Sequence, residues 1–176
     1  MELEDLLFSK EDGIGIITLN RPEKLNAYTL GMWDSIVRLM AEIDRDDEIK
    51  AVVVTGAGRA FCSGGDVSMF SASGEERWRR PHPENYPATA FRRCDKPVIA
   101  AVNGYAVGAG FAAALACDFR IASEEAKFGA PFVKRGMMSD NGLSYLLPQV
   151  VGVQKALEMI MGGDMIDATE AERLGL

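Results

Sequence analysis

Between Pro97 and Cys117 the chain carries no charged side chain, and Asn103 is the single amide. Such a stretch has to be buried, either in a membrane or in a protein core. Its length permits a span, and Gly104 and Gly108 match a helix-packing motif. Its composition speaks against one: alanine and glycine dominate, and Pro97, Asn103 and Gly104 interrupt it. It reads as a buried strand at Val98–Val102, a glycine-rich turn at Gly104–Gly110 and a buried helix at Ala109–Ala116. No membrane partner is expected.

The same order recurs upstream. Ala51–Thr55 is a short apolar strand leading into a second glycine-rich turn, Cys62–Asp66. Residues 3–9 and 14–19, separated by Asp12-Gly13, predict a hairpin. Over Asn26–Asp44 the spacing of Leu30, Trp33, Val37, Met40 and Asp44, with Ile36 and Ile43 beside them, predicts an amphipathic helix. Asp118–Ala122 predicts another strand, followed by loops and helical segments. Residues 71–87, polar and broken by Pro81, Pro83 and Pro87, predict a mobile surface excursion. Strands alternating with helices make this an α/β chain.

Length and composition narrow the function. A chain of 176 residues with 48% apolar and 26% charged side chains is expected to form one globular domain over residues 1–176. A net charge of −7 disfavours nucleic acid as a partner. Cys62, Cys94 and Cys117 are odd in number and lack CxxC spacing, which fits a reducing compartment. The start Met-Glu-Leu-Glu-Asp has no basic segment followed by an apolar one, so the expected location is cytoplasmic. His82, the only histidine, lies between two prolines; no metal site and no Ser-His-Asp hydrolase is expected.

The two glycine-rich turns carry the chemistry. Glycine allows a tight turn and close backbone approach. A helix start leaves N–H groups without intrahelical partners and adds the positive end of a dipole. Two such turns facing each other would aim two N–H donors at one oxygen. Either turn alone reads rather as an ordinary tight turn. Nucleotide motifs fit poorly: Gly56-x-Gly58 lacks its third glycine, and no GxxxxGK occurs.

Gly58-Arg59-Ala60-Phe61-Cys62-Ser63-Gly64-Gly65-Asp66, the run Lys96–Gly108 and Cys117-Asp118 resemble the signatures of the enoyl-CoA hydratase/isomerase, or crotonase, family. Leu19-Asn20-Arg21-Pro22, Asn26-Ala27, Phe128-Gly129, Pro131 and the ending Ala171–Leu176 match it as well, in collinear order. The resemblance implies a crotonase-like (ClpP/crotonase) spiral of ββα units that binds an acyl-CoA thioester, with the backbone N–H groups of Gly65 and Ala109 holding the thioester oxygen. It places the CoA moiety against Lys24, Leu25, Ala60, Ser63, Asp66 and Val67, with no cofactor beyond that CoA. A structural reading of Asp66, as a side-chain cap on the next helix, is preferred to a catalytic one.

Departures from the family pattern are informative. The resemblance puts the two hydratase glutamates at Ala112 and Phe132, where no proton can be carried. Asp140 stands at a third position, where several double-bond isomerases of the family place an aspartate. Its alternative reading is an N-cap for the Leu143–Leu147 run. Glu124 and Glu125 read as a solvated loop and Asp118 as structural. Arg77, Arg79, Arg80, Arg92 and Arg93 form a basic concentration, and Trp78 and Tyr86 are candidates for an acyl-pocket wall. The expected activity is a double-bond shift with Asp140 as acid and base. The alternatives are hydration or thioester hydrolysis at a rearranged site, and a non-catalytic acyl-CoA-binding protein. Family members continue for several helices after the Leu-Gly-Leu motif, so the sequence is expected to be either a fragment or a shortened form, with the C-terminal helical part absent; a homo-oligomer, trimer or hexamer, is expected.

Overall fold

The computed structural model describes residues 3–70 and 86–176. The surface excursion placed at 71–87, with Arg77, Trp78, Arg79, Arg80 and His82, falls outside those residues but for its last two positions. Strands β1 (Leu6–Glu11) and β2 (Ile14–Leu19) form the antiparallel hairpin that Asp12-Gly13 announces. Helix α1 (Leu30–Arg45) starts later than its periodicity suggests, because Leu25 and Asn26 take left-handed φ angles of 52° and 55°. The Thr29 side chain caps it by accepting the Met32 N–H at 3.0 Å. Its buried face comprises Met32, Trp33, Ile36, Leu39, Met40 and Ile43; Leu30 is exposed and Val37 half-buried, so the apolar stripe is rotated from the expected one.

Three strand pairs follow. They are β3 (Ala51–Gly56) with β4 (Ala60–Cys62), β5 (Val98–Val102) with β6 (Tyr105–Val107), and β7 (Phe119–Ala122) with β8 (Lys127–Gly129). The first strand of each pair joins a five-stranded sheet in the order β1-β2-β3-β5-β7. The second joins a smaller sheet, β4-β6-β8-β9, where β9 is Met165–Asp167. Each pair leads to a helix: α2 (Pro87–Arg93), α3 (Ala109–Ala116) and α4 (Leu143–Val151). Helices α5 (Val153–Gly162) and α6 (Ala168–Arg173) complete the described chain.

Helix α3 is buried on every face, which explains why it is built of alanine and shows no amphipathic pattern. Small side chains let α2 and α4 pack closely on it. At its C-terminal end, Arg120 Nη1 donates to the Cys117 carbonyl at 2.9 Å and satisfies an acceptor that the helix leaves free. Asp118 accepts the Val98 N–H at 2.8 Å, a structural role as expected. The apolar run Pro97–Cys117 is thus divided among β5, β6 and α3. Among the described residues no helix is long and apolar enough to cross a membrane.

Candidate active site

Strands β4, β6 and β8 are parallel neighbours, so their C-terminal ends open on one edge. Cys62 pairs with Ala106, and Val107 with Gly129. The segments Ser63–Asp66, Gly108–Ala109 and Ala130–Phe132 therefore emerge side by side. Glycine sets how near they come. A Cβ on Gly64 would stand 3.0 Å from the Val107 carbonyl oxygen and 3.5 Å from the Ala109 nitrogen. A Cβ on Gly110 would stand 2.3 Å from the Cys62 carbonyl oxygen, closer than any real side chain allows.

Hydrogen bonds orient the peptides of both turns. The Tyr28 N–H donates to the Gly64 carbonyl at 2.8 Å, and the Asp66 N–H donates to the Tyr28 carbonyl at 2.9 Å. In a trans peptide the carbonyl and the following N–H point in opposite directions, so the Gly65 N–H turns away from Tyr28. The Ala112 N–H donates to the Gly108 carbonyl at 3.0 Å in the first turn of α3. By the same geometry the Ala109 N–H points out of the helix N-terminus. Neither N–H has a hydrogen-bond partner among the described residues. The edge thus carries two free backbone donors, one of them at the positive end of a buried helix. That is the chemistry needed by an oxygen gaining negative charge.

The N-terminal signature is fastened to the first turn by side chains to which the sequence reading gave no role. Asn26, fully buried, donates from Nδ2 to the carbonyls of Ala57 at 2.9 Å and Ala60 at 2.7 Å, and its Oδ1 accepts the Arg21 N–H at 2.8 Å. Asn103 binds the same segment, donating to the carbonyls of Gly56 and Gly58, both at 2.8 Å. As the one amide in an apolar run, Asn103, half-buried in the structure, offers a signal: an amide withdrawn from water has to find partners. The Ser63 N–H donates to the Leu25 carbonyl at 3.0 Å, and the Ser63 hydroxyl to that of Lys24 at 3.4 Å. Lys24, Leu25, Ala60 and Ser63 are therefore gathered at one place, and Val67 stands exposed just beyond.

Asp66 behaves as a cap. Its Oδ1 accepts the Ser68 N–H at 3.0 Å and the Ser68 hydroxyl at 2.8 Å, while Oδ2 pairs with Arg21 Nη1 at 3.0 Å. These donors, Ser68 first and the guanidinium after it, hold the carboxyl down at about 2. Arg21 also reaches Asp5 at 3.3 Å and the Ala27 carbonyl at 2.7 Å, tying the hairpin end to the turn.

Ala112 is fully buried on α3 and offers no proton. Phe132 is buried too, and a Cβ on Gly108 would lie 3.6 Å from its ring. An apolar face thus adjoins the second turn. Asp140 is exposed in the loop before α4. The cap reading of Asp140 is corrected: α4 is capped by Gly142 at φ 80°, without a side-chain hydrogen bond. The Asp140 carboxylate instead accepts Asn141 Nδ2 at 2.7 Å, and only its backbone carbonyl accepts the Leu143 N–H, at 3.0 Å. It hydrogen-bonds to neither glycine-rich turn. Glu124 and Glu125 are exposed in their loop, as are Arg92 and Arg93 at the end of α2. Tyr86 packs on Trp33 with ring centroids 5.1 Å apart.

Comparison with known proteins agrees with this architecture. The family model described as enoyl-CoA hydratase/isomerase matches residues 9–176. The enoyl-CoA hydratase ACTT3 of Alternaria alternata is 40% identical over 166 residues, covering 94% of this chain and 56% of its own length. The probable enoyl-CoA hydratase echA8 of Mycobacterium tuberculosis is 37% identical over 177 residues, covering 100% of this chain and 68% of its own. The crystal structure of an enoyl-CoA hydratase from Bacillus anthracis superposes with a TM-score of 0.91 at 32% identity, covering 98% of this chain and 68% of that one. The chain thus spans between about half and two thirds of the length of these relatives, whose names speak of hydratases and give no support to isomerisation. The fold is the crotonase fold, with each ββα unit shared between two sheets, and the chain belongs to the enoyl-CoA hydratase/isomerase family.

Proposed function

We propose that this chain binds an acyl-CoA thioester and moves a proton on an enoyl-CoA, shifting its carbon–carbon double bond. The observation that carries the reading is the pair of unpartnered N–H groups, Gly65 and Ala109, at the open ends of adjacent strands. A thioester carbonyl bound there has its α-proton made acidic. Removal of that proton gives an enolate whose oxygen the two donors stabilise; one such donor is worth ~3 kcal/mol. Asp140 takes the proton from one carbon and returns it to another, first as base and then as acid, so nothing is added and nothing lost. Lys24, Leu25, Ala60, Ser63, Asp66 and Val67 cradle the CoA moiety, which arrives with the substrate as the sole cofactor.

Apolar Ala112 and Phe132 favour isomerisation over hydration by a pair of glutamates. The names of the relatives favour hydration as the second reading. A panel of enoyl-CoAs incubated with the protein and read by mass separates the outcomes. Unchanged mass with a moved double bond supports isomerisation, and gain of water supports hydration. Release of free CoA supports thioester hydrolysis, and binding without turnover supports a non-catalytic acyl-CoA-binding protein. Self-association as a trimer or hexamer belongs to the same proposal. It is supported by exposed Phe119 and Ile121 on β7, the edge strand of the larger sheet, and light scattering measures it.

A further inference from the structure

Gly64 is the pivot of the first turn, at φ 100°, a conformation that glycine reaches without strain but does not hold by itself. Both its backbone groups are held from outside. Its carbonyl accepts the Tyr28 N–H at 2.8 Å, and its N–H donates to the Cys62 sulfur at 3.4 Å. The sulfur is fully buried and its own backbone cannot drift, because Gly110 presses against it: a Cβ there would lie 2.3 Å from the Cys62 carbonyl oxygen and 2.7 Å from the Cys62 Cβ. Burial pushes the Cys62 thiol up to about 12, so at neutral pH it is an uncharged acceptor rather than a nucleophile.

We propose that Cys62 is a positioning residue for the first oxyanion donor. By holding the Gly64 N–H it fixes the Ser63–Gly64 peptide, and its thiol stands as a donor 3.9 Å from the Gly64 carbonyl, in the peptide that carries the Gly65 N–H; both sides of the pivot, and with them the direction of the Gly65 N–H, are thereby set. The proposal rests on the reading of Gly65 as such a donor. It gives a buried cysteine in the first glycine-rich turn a function that neither packing nor redox chemistry supplies.

The test uses assigned amide spectra and acetyl-CoA binding for the wild type, Cys62→Ala, Cys62→Ser and Cys62→Val. Alanine and serine leave nearly the same space, but only serine keeps an acceptor; valine keeps the volume without one. In Cys62→Ala and Cys62→Val the Gly64 amide should exchange at least about tenfold faster, and acetyl-CoA affinity should fall about fivefold, the scale of one net hydrogen bond. Cys62→Ser should stay within about twofold of the wild type in both. A packing role makes alanine and serine fall together while valine is spared, and that pattern overturns the proposal. If acetyl-CoA shifts the Gly65 amide equally in the wild type and in Cys62→Ala, with equal affinity, the donor reading stands and the role of Cys62 falls. If acetyl-CoA leaves the wild-type Gly65 amide unmoved, the donor reading itself fails and takes the proposal with it.

Discussion

Gly110→Ala separates the oxyanion geometry from stability in general. The new Cβ would lie 2.3 Å from the Cys62 carbonyl oxygen and 2.7 Å from the Cys62 Cβ, against backbone and buried side chain rather than a flexible tip. Ordinary contact needs about 3.5 Å, so α3 and the end of β4 must separate by about 1 Å. Overpacking of this kind costs about 1–3 kcal/mol, while replacing a helical glycine by alanine returns ~1 kcal/mol. The net loss is therefore small, about 0–2 kcal/mol, or up to about 8 °C in Tm for a chain of this size. Function should suffer far more. The contact joins the two turns that carry Gly65 and Ala109, and a 1 Å misplacement of catalytic groups costs ~100-fold. Turnover of the best enoyl-CoA in the panel should fall by that factor in a protein that remains folded at 25 °C. Gly162→Ala is the control: its Cβ would meet only Asp164 Oδ2, at 3.6 Å, and activity should not change. Wild-type turnover in Gly110→Ala would show that the spacing of the two turns does not govern the reaction.

Three further outcomes follow from particular groups. Asp140→Asn should lower turnover by roughly 100-fold or more and leave acyl-CoA affinity nearly unchanged. Because Asp140 caps no helix by its side chain, Asp140→Ala should cost little in Tm, and wild-type turnover in Asp140→Asn would remove it as the acid–base group. For Asp66 the folded carboxyl sits at about 2, below its unfolded value of ~3.9. Its stabilisation is therefore present above about pH 4 and lost as pH falls through 2. Asp66→Asn should lower Tm at pH 7 and flatten the acid limb of Tm between pH 4 and pH 2. Burial pushes the thiols of Cys62 and Cys117 to about 12, so an Ellman titration of the native protein at pH 8 should leave both unreacted until denaturant is added. Fast reaction of either would contradict the described burial.

Much of the larger sheet could be read in the sequence because its strands are apolar runs long enough to show a pattern; Val98–Val102 and Ala109–Ala116 stand where their composition puts them. The smaller sheet could not. Strands β4, β6, β8 and β9 have three residues each, too few for any periodicity, and they exist through pairing with one another. Helix α1 starts at Leu30 rather than at Asn26, although Asn26 fits the helical spacing. Its side chain is instead committed to the carbonyls of Ala57 and Ala60, a tertiary demand that overrides propensity. At the site, glycine spacing identified both turns, since close approach requires that residue type. The fastening of the turns by Asn26 and Tyr28 depends on partners far along the chain, which local sequence does not encode; Asn103 is legible only as an amide in an apolar run that needs partners. The N-cap reading of Asp140 failed for a local reason. Gly142 takes the left-handed entry to α4, and the carboxylate turns to Asn141.

The central claim is that the backbone N–H groups of Gly65 and Ala109 receive a thioester oxygen. Amide proton shifts measure it directly, through titration of isotope-labelled protein with acetyl-CoA and, separately, with CoA alone. Acetyl-CoA should move both amide protons downfield, while CoA alone should move residues around Lys24, Ser63 and Val67 and leave Gly65 and Ala109 in place. Tight binding of acetyl-CoA with both amides unshifted would contradict the account.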